Sequence, residues 1–310
     1  MPESADTTQP PGIHHITGIV RDATQTTAFY RQVLGLTLFR HTVNFNDKFT
    51  RHLFFGDESG SPGTVLTFFP YPAEEPGRIG KPQITTAALS VPPDSIEFWT
   101  ARLRTHGVEI EAVFERFGEH GIRFRDPDGT QLELVSSDSV RPPVGDGPIP
   151  AEYAIRGISG VTVRSADTYV TASVLETLGF ELLAQSGSRV RYQTGAHAGI
   201  IDLLDEPSGF GREGAGSFHH VALSIATEEE LFDWHDRFLA RGYDVSRVKD
   251  RHFFKSLYVR EPGGILFELA AESSEGTDVA PSGESLFLPP WLEEDRAMIE
   301  QHLPPLTLSE

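Results

Sequence analysis

Cysteine is absent from this chain of 310 residues. That excludes disulfides, thiolate nucleophiles and sulfur-ligated metals, so any metal would have to be held by nitrogen and oxygen. Positive charge is scarce: 26 Lys and Arg stand against 45 Asp and Glu, giving a formal net charge of −19. With no basic stripe to meet a phosphate backbone, nucleic acid is not an expected partner. Of those 26 cations only four are lysine. Long apolar runs are missing as well, and none approaches the length that spans a bilayer. Met1 to Pro11 is polar, reads as disordered, and lacks the charged-then-apolar layout of a signal peptide. A cytoplasmic protein without a membrane partner is therefore expected. Gly56 to Gly63 has no Walker lysine, and no serine sits in a nucleophile elbow. Asp126-Pro127-Asp128-Gly129 lacks the spaced oxygen donors of a calcium loop and reads as a turn.

What is present is histidine in an unusual place. Ser217-Phe218-His219-His220-Val221-Ala222-Leu223-Ser224-Ile225 alternates as a β-strand does. His219, Val221, Leu223 and Ile225 would share an apolar face. Phe218, His220, Ala222 and Ser224 would share the other, where small side chains leave room for a ligand. The doublet recurs near the N-terminus in Ile13-His14-His15-Ile16-Thr17-Gly18-Ile19-Val20, with His15 on the Thr17 and Ile19 face.

Each doublet opens a longer unit. Strand, helix and three strands follow in the order β-α-β-β-β, with Gly35, Gly107, Gly179 and Gly242 placed to stop the four helices. The second and fourth units match position for position: Asp126-Pro127-Asp128-Gly129-Thr130-Gln131-Leu132-Glu133-Leu134 against Glu261-Pro262-Gly263-Gly264-Ile265-Leu266-Phe267-Glu268-Leu269. A repeat of this period decides the fold. The expectation is an α+β protein of four βαβββ modules paired into two half-open barrels. Two modules fill residues 12–138, a Pro- and Gly-rich linker covers 139–152, two more modules fill 153–274, and 275–310 is a tail with a short amphipathic helix, Trp291 to Leu303.

The repeat also places side chains together. Equivalent first-strand positions hold His15, Thr86, a residue near Ser159, and His220. Equivalent last-strand positions hold Thr67, Glu133 and Glu268. Units one and four thus offer His15, His220 and Glu268 to one cup. The other cup keeps Glu133 but has Thr86 in place of a histidine, and is expected to be metal-free. Two imidazoles and a carboxylate on one face make the facial triad of non-haem Fe(II) oxygenases, with positions left open for substrate and dioxygen. A single strand histidine is more often a hydrogen-bonded structural residue. Recurrence in equivalent strands with an aligned Glu is what lifts the reading. Thr67, in place of a fourth carboxylate, leaves that position open. His52 reads as strand packing.

The carrying stretches are Gly12-Ile13-His14-His15-Ile16-Thr17, His52-Leu53-Phe54-Phe55-Gly56-Asp57, Pro62-Gly63-Thr64-Val65-Leu66-Thr67-Phe68-Phe69-Pro70, Phe218-His219-His220-Val221-Ala222 and Gly263-Gly264-Ile265-Leu266-Phe267-Glu268. Through them the chain resembles the vicinal oxygen chelate superfamily, and within it the hydroquinone-type ring-cleaving dioxygenases. The resemblance implies His15, His220 and Glu268 as metal ligands, Fe(II) as the metal with Mn(II) as its alternative, a small aromatic substrate with O2, and a homo-oligomer. It also implies Tyr258 and Arg251 as residues near the substrate. Alternation in Phe254 to Arg260 supports Tyr258, which reads equally as a half-buried strand tyrosine, while Arg251, in the loop Lys249-Asp250-Arg251-His252, is more often just a solvated charge. His14 and His219 read either as hydrogen-bond partners behind the ligands or as core-facing residues. The other readings are a glyoxalase-type isomerase or lyase, which would want a fourth protein ligand, and a ligand-sequestering resistance protein, which would be shorter.

Overall fold

The computed structural model describes residues 12–308 apart from 140, 146, 196–198 and 274–282. The disordered-looking start and the first part of the 275–310 tail lie outside the described residues. The first module runs β1 (Ile13–Val20), α1 (Ala23–Ala28), β2 (Thr37–Asn44), β3 (Asp47–Gly56) and β4 (Val65–Pro70). In the second come β5 (Gln83–Val91), α2 (Ile96–Thr105), β6 (Ile110–Arg116), β7 (Glu119–Arg125) and β8 (Gln131–Ser136). The third has β9 (Gly157–Arg164), α3 (Thr168–Thr177), β10 (Glu181–Ser186), β11 (Arg189–Gln193) and β12 (Ile200–Leu204). The fourth has β13 (Ser217–Ile225), α4 (Glu228–Ala240), β14 (Asp244–Val245), β15 (Lys249–Asp250), β16 (Phe254–Arg260) and β17 (Leu266–Glu272).

Local chemistry sets these boundaries. Asp22, Asp167 and Thr227 cap α1, α3 and α4 by accepting from backbone N–H groups of the first turn, each cap contributing about 1 kcal/mol. Gly35, Gly107, Gly179 and Gly242 all take positive φ just past their helices, a conformation that a side chain with a Cβ resists. In α4 the residues Leu231, Trp234 and Phe238 recur at helical spacing and are buried. Three stretches depart from the expected elements. The first helix leaves α geometry after Ala28 and continues as a π-helical turn, Phe29–Val33, that buries both Phe29 and Tyr30. In the fourth module the strand after α4 is cut short at β14, and a second short strand, β15, follows it on β16. The tail helix begins as a 3₁₀ turn, Pro290–Asp295, where two prolines in succession remove backbone donors, and becomes α5 (Arg296–His302) only afterwards.

Among the described residues the strands form two curled sheets, ordered β14-β16-β17-β13-β1-β4-β3-β2, with β15 also on β16, and β10-β11-β12-β9-β5-β8-β7-β6. The first joins modules one and four, the second modules two and three. Each has the same centre. Two first strands run antiparallel, β1 on β13 and β5 on β9, and each is flanked by a parallel last strand. One continuous core, including Ile16, Leu66, Val221 and Phe267 from one sheet and Phe124, Leu132, Val161 and Leu203 from the other, binds the half-barrels together. The tail packs over β2 and β3 through Val43, Leu288, Ile299 and Leu303. No described helix is long and apolar enough to cross a membrane.

Candidate metal centre

The centre of the first sheet determines where the histidines go. Along β1 and β13, His15 faces Ala222 and Thr17 faces His220, and the register breaks at His14 on one strand and at His219 on the other. Each doublet therefore carries a β-bulge at its first histidine, a device that re-aims side chains beside functional sites. Strict alternation would send His219 to the apolar face with Val221. Instead it lines the same cavity as His220, and Phe218 takes a place in the core. That corrects the sequence reading of β13's faces. The parallel partners complete the frame: Glu268 lies beside Ala222 and Thr67 beside Thr17.

His15, His220 and Glu268 come together at the bottom of the cup. Their ligating atoms all lie within 4.8 Å of one another. His15 Nε2 is 3.1 Å and His220 Nε2 2.8 Å from the same oxygen, Glu268 Oε2. Yet His220 Nε2 and both Glu268 oxygens are buried without a partner in hydrogen-bonding geometry. Buried polar atoms are rarely left so, and these are gathered closely enough for one ion to reach them all. Nitrogen, nitrogen and a carboxylate oxygen are the donor set of a divalent transition metal.

Protonation suits the same role. Burial, only partly opposed by Glu268, holds His220 down at about 4, so its imidazole is neutral near pH 7. The histidines behind fix the tautomers. His15 Nδ1 is 2.9 Å from His14 Nδ1, and His14 Nε2 is 3.3 Å from Glu272 Oε1. If His14 donates from Nε2 to the carboxylate, its Nδ1 accepts from His15, and the His15 Nε2 lone pair is left for a metal. His219 Nδ1 stands 2.7 Å from His220 Nδ1 in the same relation.

Above the triad lies a cavity of about 510 Å³. Tyr258 stands beside Glu268 in register, its ring 5.4 Å from that of His220 and nearly perpendicular to it. Burial and the Glu268 charge push the phenol well above its ordinary value, so it keeps its proton. Arg251 Nη2 donates to Tyr258 Oη at 3.2 Å. Arg251 thus belongs to the cavity wall rather than to open solvent. His52 also corrects its sequence reading. It lines the cavity between Phe54 and Phe69, with ring centroids at 4.0 and 4.3 Å, and its Nε2 is 2.9 Å from Thr67 Oγ1. Thr67 Oγ1 is also 2.9 Å from Thr17 Oγ1. The fourth-ligand position is occupied by a hydroxyl already engaged twice. Burial, with His15 and His220 adding to it, holds His52 neutral.

The second cup repeats the frame with different contents. The register breaks at Thr85 and Ser159, which settles Gly160 as the counterpart of His220. Asp202 beside Thr162 takes the place that Glu268 and Thr67 hold, a position the sequence reading left unassigned. Glu133 is gripped by Arg116 at 2.6 Å and Arg123 at 2.7 Å, and Asp202 by Arg189 at 3.1 Å and Arg191 at 2.8 Å. The space left beside Asp202 is about 10 Å³, and a wider opening of about 600 Å³ lies next to it over Phe117, Leu183 and Arg191. Arginine fills the floor of this cup.

Comparison with known proteins agrees with the frame. The family model described as the Glyoxalase/Bleomycin resistance protein/Dioxygenase superfamily matches residues 12–134 and 167–269. A Bacillus subtilis protein provisionally named ring-cleaving dioxygenase MhqO is 39% identical over 96% of this chain and 97% of its own. The chlorohydroquinone/hydroquinone 1,2-dioxygenase of Sphingobium indicum is 30% identical over 91% of this chain and 92% of its own. The crystal structure of a provisionally named dioxygenase from Bacillus subtilis superposes with a TM-score of 0.92 at 39% identity, covering 98% of this chain and all of that one.

Proposed function

This chain belongs to the glyoxalase/bleomycin resistance protein/dioxygenase superfamily, and we propose that it is a metal-dependent dioxygenase that opens a hydroquinone-like ring with O2. His15, His220 and Glu268 would hold the metal, Fe(II) by this reading with Mn(II) as the alternative. The observation that carries the reading is the convergence of these three buried donors under an aromatic-lined cavity, with a neutral hydroxyl at Thr67 where a fourth protein ligand would stand. Two relatives named for ring cleavage or for hydroquinone support the substrate class.

Fe(II) bound there would supply the one-electron chemistry that lets a closed-shell aromatic react with dioxygen. The chain's own residues do the rest. Phe54, Phe69 and Phe254 wall the cavity, hold a flat ring and keep water from the reacting face. Tyr258 retains its proton and offers Oη as a donor to a phenolic oxygen, while Arg251 occupies one Oη lone pair and fixes the hydroxyl's direction. His52 is a neutral imidazole hydrogen-bonded to Thr67 Oγ1, and it gives the aromatic wall one polar group to meet a phenolic oxygen. His14 with Glu272 and His219 hold the ligand imidazoles in one tautomer.

The isomerase reading is disfavoured by the same Thr67, whose Oγ1 is engaged by Thr17 and His52 and carries no charge for a metal. Oxygen uptake by anaerobically Fe(II)-loaded protein, given hydroquinones with catechol as comparison, tests the proposal. Uptake with hydroquinones that vanishes in His220→Ala supports it. A metal-loaded protein that takes up no O2 with any diphenol refutes it.

A further inference from the structure

The scarcity of lysine makes each one informative. There are four: Lys48, Lys81, Lys249 and Lys255. Three are tied to carboxylates, Lys48 to Asp295 at 2.6 Å, Lys81 to Asp205 at 3.0 Å and Lys255 to Glu228 at 2.7 Å. Among the described residues Lys249 is the one lysine without a carboxylate at ion-pair distance, and it lines the cavity above the triad. Its Nζ stands 5.1 Å from the centre of the Tyr258 ring. Arg251, two residues on, has its guanidinium 5.3 Å from the same ring, and its hydrogen bonds go to neutral oxygens of Tyr258 and Asn46. Burial, with the charges of Arg251 and then Arg247 adding to it, holds the Lys249 ammonium below its ordinary range. Lys249 and Arg251 thus flank the Tyr258 ring as a pair of cations on the cavity wall. Asp250, between them, accepts from the His252 backbone N–H, and the cavity's carboxylates, Glu74, Glu213 and Glu268, pair with neither Lys249 nor Arg251.

A chain of net charge −19 has carboxylates to spare, and half-buried cations left without one are costly. We propose that Lys249, with Arg251, is a subsite for an anionic substituent on the substrate ring, so that the favoured hydroquinones carry a carboxylate. The proposal rests on the reading of the cavity as a diphenol site and narrows it. Tyr258 supplies the geometry. Its ring lies edge-on to His220 at 5.4 Å, and the two cations stand 5.1 and 5.3 Å from its centre. A ring with one hydroxyl at the metal would present a substituent near its other hydroxyl to Lys249. The ammonium would give a charge-assisted hydrogen bond to a carboxylate and nothing comparable to a methyl or a hydrogen.

The test is anaerobic titration calorimetry on Fe(II)-loaded protein with 2,5-dihydroxybenzoate and 2-methylhydroquinone, which needs no turnover. The acid is expected to bind about tenfold more tightly than the methyl compound, the scale of one charge-assisted bond. Lys249→Met should erase that advantage and leave 2-methylhydroquinone within about twofold, and Lys249→Arg should restore it. Equal weakening of both ligands in Lys249→Met, or acid binding no tighter than methyl in the parent protein, overturns the subsite. Oxygen uptake on the same samples separates the two claims. Acid preference without any uptake would sink the dioxygenase and keep the subsite, whereas uptake without acid preference would do the reverse.

Discussion

Replacing Glu268 by Gln should make the metal-free protein more stable and the metal-loaded protein less so. Glu268 is fully buried, and neither of its oxygens has a donor in hydrogen-bonding geometry. Two imidazole nitrogens face one of those oxygens at 3.1 and 2.8 Å, and with the Nδ1 of each ring turned to His14 or His219, lone pairs point at lone pairs. A buried polar group left unsatisfied costs about 1–3 kcal/mol, more when charged. Gln keeps the shape, sheds the charge and can donate its amide to one of the imidazoles. The metal-free variant should therefore gain about 2 kcal/mol, or roughly 4 °C in melting temperature for a chain of this size. Metal reverses the order. At a free concentration 100 times the dissociation constant, binding stabilises the parent by about 2.7 kcal/mol, while the amide, a poor ligand, lets the variant gain little. Thermal melts in chelator and in anaerobic Fe(II) or Mn(II) would read both effects. A Gln variant that melts below the parent in chelator, or that is raised as much by metal, would refute the idea that these atoms are oriented for an ion.

Thr67→Glu supplies the missing fourth ligand, so metal affinity should rise while hydroquinone-dependent oxygen uptake falls at least tenfold, read by metal competition and an oxygen electrode. His14→Phe removes the acceptor that His15 Nδ1 faces at 2.9 Å; loss of such an outer partner weakens metal binding by about 10–100-fold, measurable by the same competition, with the melting temperature in chelator little changed. Asp126 gives a pH signature of its own. Burial, against hydrogen bonds from Thr130, raises its carboxyl from 3.8 to about 6. A raised folded-state value means the contribution is complete below about pH 4 and is lost as pH climbs through 6, a change of about 3 kcal/mol. Asp126→Asn has no proton to lose, so its stability relative to the parent should improve by that amount between pH 4 and pH 8 in urea titrations. An unchanged difference across that range would contradict the assignment.

One frame serves two ends in this molecule. Thr67, Glu133, Asp202 and Glu268 hold the same position in four repeats, and the first-strand positions hold His15, Thr86, Gly160 and His220. Where the first strands bring histidine, a carboxylate and a threonine leave a cavity of about 510 Å³. In the other cup two carboxylates draw in four arginines, and the space beside Asp202 closes to about 10 Å³. The second cup reads as a structural counterpart, in which buried ion pairs stand where the first has its donors.

The repeat, the pairing of modules and the triad were legible because each rests on periodicity and on equivalent places within the units. What stayed hidden was set by contacts across strands. A β-bulge has no sequence signature, so nothing in Phe218-His219-His220 told that His219 would turn into the cavity. His52 alternates with Phe54 just as a packed strand residue would. Only the sheet order, which brings β3 beside β4, places it against Thr67. Arg116, Arg123, Arg189 and Arg191 come from three different strands, and their convergence on Glu133 and Asp202 depends on the curl of the sheet. Lys249 and Arg251 carried a readable signal, cations at alternate positions two and four residues after Arg247. Reading it required knowing that the segment is extended and faces Tyr258.

The most direct test of the account is the fate of dioxygen itself. Fe(II)-loaded protein should be given a hydroquinone under ¹⁸O₂ and the product weighed by mass spectrometry. Both atoms of one O2 molecule are expected in a single ring-opened product, with one O2 consumed per ring and no product from Glu268→Ala. A product formed without oxygen consumption, or a quinone carrying no ¹⁸O, would contradict the ring-cleaving reading.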